Sequence, residues 1–177
     1  MTIRLFRTDL VVHLVEEGID LAIRIAPPQD SALKMQKIGE VRKIFVASPA
    51  YLAQHGEPQS LEDLAAHSLI YIDEYATGHS EWRLGGKNEP SVRVSPRLYV
   101  NSVDAALAAA RDGLGITRAL SYQTHDFIEK GQLCRALADI PTSALPVFML
   151  FPSRERQSAN VRMFLTAMKK RFMTDNF

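Results

Sequence analysis

The sequence predicts an α/β fold. Two observations carry this: apolar runs of strand length alternate with amphipathic helical stretches along the whole chain, and glycines close the helices. No Gly/Ser-rich linker interrupts the alternation, so any passage between domains must use strands. Asp20–Ile25 and Lys43–Ala47 are nearly all apolar, as strands covered on both faces are. Thr2–Phe6 alternates weakly and predicts a short strand. Leu10, Val11, Leu14 and Val15 recur at helical spacing before Gly18, which predicts a helix over Asp9–Glu17. Pro27, Pro28 and Asp30 place a loop at Ala26–Ser31. Pro49 opens a helix after Ser48, because a first-turn residue needs no N–H. Ser60-Leu61-Glu62-Asp63 reads as a capped helix start with acids in its first turn.

Leu69–Ile72 predicts a strand, and Gly85–Asn88 a turn joining Glu81–Leu84 to Val92–Val94 in a hairpin. Another strand follows at Arg97–Val100. Val103, Ala106, Leu107 and Ala110 share one helix face that ends at Gly113. Then come a short strand at Gly115–Thr117, a helix over Thr124–Lys130 and a strand at Leu133–Leu137. Pro146–Phe151 is a last buried strand. Val161, Phe164, Leu165 and Met168 form the apolar face of a final helix. Parallel sheets are the arrangement this alternation predicts.

Composition removes several function classes. At 177 residues, 46% hydrophobic and 23% charged, the chain can bury a substantial core and is not a disordered tail or a coiled coil. A net charge of +1 gives no global pull toward nucleic acid or membrane. One cysteine, Cys134, excludes an internal disulfide and suits the cytoplasm. Arg4, Arg7, Asp9 and His13 break up the first residues, so they do not form a signal peptide. No stretch approaches transmembrane length.

Catalytic groups do not converge. His13, His55, His67, His79 and His125 lack metal-ligand spacing, so no metal or cofactor is expected. Gly113-Leu114-Gly115 begins like a dinucleotide fingerprint but lacks the third glycine and follows a helix, so it reads as a helix stop and a tight turn. Cys134 sits in an apolar alternation and reads as a structural thiol. Lys169-Lys170-Arg171 reads as a solvated helix end.

One place suits a ligand. Asn101-Ser102 lies between a strand and a helix, where unpaired backbone N–H groups and a positive dipole end meet an anion. Simple helix capping explains the same residues more economically, since Asn and Ser are the preferred caps. Ser48 repeats the arrangement of strand, serine and helix. Arg24, near the end of an apolar strand, reads either as an anion clamp or as a surface ion pair.

The landmarks then accumulate in a fixed order: EEGIDLAIRI at Glu16–Ile25, VASPAYL at Val46–Leu52, His55-Gly56-Glu57-Pro58, Leu61-Glu62-Asp63-Leu64, His67, Trp82, VNSVDAALAAARDGLGI at Val100–Ile116, Phe151-Pro152 and a helix holding Phe164. The ordered set resembles the effector-sensing half of LysR-type transcriptional regulators, from near Met1 to about Phe172.

The resemblance implies a periplasmic-binding-protein-like fold with two Rossmann-like subdomains: residues 1–45 with 146–177, and residues 46–145. The chain would cross outward in Lys43–Ser48 and return in Pro146–Phe151. An effector, a small organic acid or similar polar metabolite, would sit in the cleft between subdomains, near Arg24, Ile25, Ser48, Asn101, Ser102 and Thr117. The landmarks begin at the family's second strand. The first subdomain is therefore expected to lack its first strand and helix, and the chain to lack the helix-turn-helix head. Direct DNA binding is not expected, and self-association through the uncovered sheet edge is. A stand-alone solute-binding protein of the same fold is the alternative, and an enzyme is not expected. After Thr117 the family often has Leu-Pro, whereas this chain reads Arg118-Ala119-Leu120-Ser121.

Overall fold

The computed structural model describes residues 2–6, 13–25, 33–73, 80–84, 91–152 and 159–174. In chain order these form strands β1 (Ala22–Ile25) and β2 (Leu33–Ala47), helix α1 (Pro49–His55), a 3-10 helix at Glu62–Ala66, and strands β3 (Ile70–Ile72), β4 (Glu81–Arg83), β5 (Ser91–Arg93) and β6 (Leu98–Val100). Helix α2 (Val103–Arg111), strand β7 (Thr117–Leu120), helix α3 (Ser121–Glu129), strands β8 (Cys134–Ala136) and β9 (Ala144–Pro152) and helix α4 (Ala159–Thr174) follow. They divide into two compact units, Met1–Glu40 with Leu145–Asn176, and Val41–Ala144. The divisions lie slightly ahead of the crossings expected from the sequence.

The second unit is built on one mixed sheet. β6 pairs parallel with β3, and β3 is joined in parallel to β7 through Leu69 and Ile116. β7 pairs antiparallel with β2, and β2 antiparallel with β8. The expectation of parallel sheets therefore holds for β6, β3 and β7 and fails for β2. That strand enters from the first unit and runs against the others. Its side chains alternate between two buried layers. Phe45 and Ala47 pack with Tyr51, Leu64, Leu69, Trp82 and Ile116, whereas Ile44 and Val46 pack with Ile70, Ala106, Leu107, Ala110 and Leu133. Period-two burial on both faces is what makes the segment read as an unbroken apolar run.

Local signals set the ends of the elements. The Ser48 hydroxyl accepts from the Tyr51 N–H at 3.2 Å and caps α1. Ser60 and Asp63 cap the 3-10 helix reciprocally: the Asp63 carboxylate accepts from the Gln59 and Ser60 N–H groups, both at 2.9 Å, and Asp63 N–H donates to the Ser60 hydroxyl. These bonds hold the Asp63 carboxyl below its ordinary pKa. Gly115, at φ +155°, permits a close backbone approach. A Cβ there would lie 2.2 Å from the Ser68 carbonyl oxygen, the group that accepts from Ile116 N–H as β7 enters beside β3. Helix α3 starts at Ser121, earlier than the expected Thr124. Gln123 Oε1 accepts from Leu120 N–H, and the Thr124 hydroxyl donates to the Ser121 carbonyl. The hairpin of β4 and β5 is as expected, with Trp82 opposite Val92; its turn, Gly85–Asn88, lies outside the described residues.

In the first unit β1 pairs antiparallel with β9, from Ala22 opposite Leu150 to Ile25 opposite Val147, and β9 neighbours β2. Leu14, Val147, Met149, Leu150 and Leu165 are buried. Thr2–Phe6 forms no strand: Leu5 is 90% exposed and no described strand pairs with the segment. Much of the expected Asp9–Glu17 helix lies outside the described residues. Its end is a turn in which Glu17 N–H reaches the His13 carbonyl and Ile19 N–H the Leu14 carbonyl, with Gly18 at φ 66°, the closing geometry of a helix. Among the described residues, no helix is long and apolar enough to cross a membrane.

Leu107 is 3% exposed and lies in the layer between α2 and the sheet. Leu107→Ala is expected to lower the unfolding free energy by about 2–5 kcal/mol, through lost burial and a residual cavity. Urea denaturation of the two proteins checks this; an unchanged midpoint would remove Leu107 from the core.

Candidate effector site

Strand direction decides which polar residues can meet a ligand on the second unit. β3, β6 and β7 end at one edge of the sheet. Asp73 N–H donates there to the Val100 carbonyl at 2.8 Å, tying the ends of β3 and β6 together. Asn101 and Ser102 follow β6 at that edge and open α2. Ser121 follows β7 and opens α3. β2 arrives at the same edge, and Arg42 N–H donates to the Ser121 hydroxyl at 3.3 Å. The Arg42 guanidinium also donates to the Thr142 carbonyl. Two helix N-termini thus share the edge with a cation and three small polar residues. In an open α/β sheet, ligands gather beyond the carboxyl ends of the parallel strands.

Within this group the roles differ. The Ser102 hydroxyl accepts from Ala105 N–H at 3.2 Å, so it is the cap of α2. Asn101 is exposed and its side chain makes no hydrogen bond among the described residues. The capping role therefore falls to Ser102, and Asn101 beside it is exposed. Ser121 and Arg42 were not singled out from sequence. Placing the start of α3 at Ser121 would have exposed the first, since it repeats the strand-to-helix setting of Ser102.

Ser48 and Thr117 lie elsewhere. Val46 is opposite Thr117, and Lys43 is opposite Leu120, so the exit of β2 lies where β7 begins. Ser48 is 5% exposed, and its hydroxyl oxygen would lie 3.7 Å from a Cβ placed on Gly113, beyond the far end of α2. Thr117 is fully buried and donates to the Ile70 carbonyl at 3.0 Å. Nine residues of α2, roughly 13 Å at 1.5 Å per residue, separate these two from Asn101 and Ser102. The structure brings Asn101 together with Ser102, and Ser48 close to Thr117, but not the two pairs. Arg24 and Ile25 belong to the first unit. Both partly buried, they lie at the end of β1 opposite Phe148 and Val147, and Arg24 is already engaged.

Comparison with known proteins agrees with this architecture. Residues 1–173 match the family described as the LysR substrate binding domain. The chain belongs to that family. It is 34% identical over 137 residues to the HTH-type transcriptional activator TtdR of Escherichia coli O6:K15:H31, covering 77% of this chain and 44% of that protein. It is 32% identical over 165 residues to the HTH-type transcriptional regulator DmlR of Escherichia coli K12, covering 93% and 53%. The chain thus spans about half the length of these relatives, which are transcriptional regulators, not enzymes. The regulatory domain of CrgA, a LysR-type regulator from Neisseria meningitidis, superposes with a TM-score of 0.75 at 26% identity, over 89% of this chain and 78% of that one. The regulatory domain of AphB in Vibrio vulnificus gives 0.73 at 28%, over 88% and 76%. The fold is the periplasmic-binding-protein-like α/β fold of LysR regulatory domains.

Other reactive groups of this LysR-family chain are occupied by the fold. The Cys134 thiol donates to the Ala47 carbonyl at 3.5 Å, and burial, then Glu57, raises its pKa. That disfavours the reactive thiolate. Arg118, on β7, lies over the rings of Phe45 and Trp82 at 5.9 and 6.0 Å. Burial lowers its pKa to about 10, and Tyr71 opposes the shift. His125, Asp126 and Glu129 could hold a metal ion by spacing, but all three are exposed on α3, and a solvated cluster explains them.

His67 is tied to α1. Ser68 N–H donates to the Tyr51 hydroxyl at 2.8 Å, which leaves that O–H for His67 Nδ1 at 3.2 Å. The O–H can donate to Nδ1 only while that ring nitrogen carries no proton. Burial lowers the His67 pKa, His55 adds to the shift and Asp63 opposes it. The unfolded chain therefore binds the proton more readily than the folded one. Stability from this group is full above the ordinary histidine pKa of ~6.5 and is lost as pH falls through and below it. The melting temperature should fall with pH in that window, and His67→Gln should flatten the fall. Identical pH profiles would show that His67 does not contribute.

Proposed function

We propose that this chain is the effector-sensing part of a LysR-type transcriptional regulator. Its second unit would present Asn101, Ser102 and Ser121 to a small organic acid or similarly polar metabolite. The supporting observation is the shared edge, where the N-termini of α2 and α3 lie beside β2 at Arg42. Backbone N–H groups and helix dipoles there favour an anion, and the exposed Asn101 amide adds a donor. Ser48 and Thr117 would support the site indirectly, by capping α1 and by fixing β7 to β3. On the first unit, Arg24 and Ile25 are the candidates, as the family resemblance implies. A regulator of this kind works in the cytoplasm, in keeping with the sequence.

Calorimetric titration of the 177-residue chain with small mono- and dicarboxylates tests this reading. An acid should bind, and Asn101→Ala should weaken it about tenfold, as expected for loss of a hydrogen bond to a charged group. Binding of every acid unaltered by Asn101→Ala would overturn the assignment of this edge.

Two properties follow for the chain by itself. Its net charge is +1, and no helix-turn-helix is legible in these residues, so it should not retard operator DNA specifically. Salt-sensitive, sequence-specific retardation at nanomolar protein would count against this. The first unit exposes Ile3, Leu5, Phe6, Val15, Ile23, Met35 and Met163, and among the described residues β1 ends its strand order. Exposed apolar surface and an unpaired strand edge favour self-association. Light scattering should report species larger than a monomer at tens of micromolar; a clean monomer would contradict this.

A further inference from the structure

We propose that the second unit carries another small-molecule site, one that takes an apolar α-amino acid. A cavity of about 380 Å³ lies between the 3-10 helix Glu62–Ala66 and β5, within the size range of small-molecule sites. Leu61, Leu64, Leu69, Val92 and Val94 form its apolar wall, and Leu64 and Leu69 are almost fully buried. Two exposed charges, Glu62 and Arg93, complete the lining. Among the described residues neither forms an ion pair. The neighbouring Asp63 is committed to the Gln59 and Ser60 N–H groups, so Glu62 is the acid this cavity offers.

An apolar wall with one cation and one anion beside it matches a zwitterion bearing an apolar side chain. The α-carboxylate would meet Arg93, the α-ammonium Glu62, and the side chain the leucines and valines. A simple carboxylate would face Glu62 at the same mouth, and a simple amine would face Arg93, so each lone charge is penalised where the zwitterion is satisfied. The walls are held before any ligand arrives. Ser60 and Asp63 cap the 3-10 helix, Trp82 pairs with Val92, and Val94 N–H donates to the Ser80 carbonyl at 2.9 Å. Such preorganisation lowers the entropic cost of binding.

This site is independent of the proposed effector edge. Leu69 precedes β3, and Val94 and Ser95 precede β6, whereas Asn101 and Ser102 follow β6. The cavity thus lies toward the starting ends of the parallel strands.

Titration of the 177-residue chain with L-leucine and L-phenylalanine, their carboxamides and their N-acetyl derivatives, followed by amide chemical shifts and calorimetry, tests the proposal. The free amino acids should bind in the millimolar range or tighter and shift resonances of Leu61–Leu69 and Ser91–Ser95. Arg93→Gln should weaken the free amino acid about tenfold without weakening the cationic carboxamide, and Glu62→Gln should weaken it likewise without weakening the anionic N-acetyl derivative. Asn101→Ala should alter none of these. No shifts in either segment, equal binding of all three forms, or indifference to both charge-removing variants would overturn it.

Discussion

The second unit depends on one strand being covered everywhere at once. β2 has β7 and β8 as neighbours and buried layers on both faces. Val46 and Ala47 are fully inaccessible and Phe45 nearly so. Burial of side chains such as Phe or Val stabilises by about 1.5–3 kcal/mol each. The strand therefore anchors α2 on one side and α1, the 3-10 helix and the β4–β5 hairpin on the other. It also runs against its neighbours. That single direction decides that Arg42 stands where the parallel strands end and Ser48 where they begin.

The elements legible in the sequence were those whose signal is local. The apolar runs of β2 and β9 and the faces of α2 and α4 show in spacing alone. The caps at Ser48, Ser60 and Ser102 mark helix starts that the structure confirms. The first half of β2 was hidden. Leu33–Arg42 mixes Lys34, Gln36, Lys37, Glu40 and Arg42 with isolated apolar residues and Gly39, because much of that stretch is exposed. Thr2–Phe6 shows the converse case: its pattern suits a strand, but a strand exists only where a partner completes its hydrogen bonds.

The candidate site is a matter of residue type in the sequence and of placement in the structure. A serine between an apolar strand and a helix marks an edge of a sheet, but which edge depends on strand direction, and no residue of Val46–Ser48 encodes that. Asn101 and Ser102 occupy the edge expected of a ligand site because β6 runs with β3. Arg118 was legible only as a departure from the family pattern. Its guanidinium lies against an aromatic layer formed by Phe45, Tyr71 and Trp82, residues far apart in the chain.

Trp82 is the single tryptophan of the chain. It is 4% exposed, set edge-on to Phe45 with centroids 5.3 Å apart and stacked on Tyr71 at 6.2 Å, with the Arg118 guanidinium above it. The indole is thus shielded from water by one layer of the second unit, and nothing in the first unit shares its spectrum. Intrinsic emission from this protein is a local optical signal. A red shift reports that water has reached the hairpin layer of the second unit.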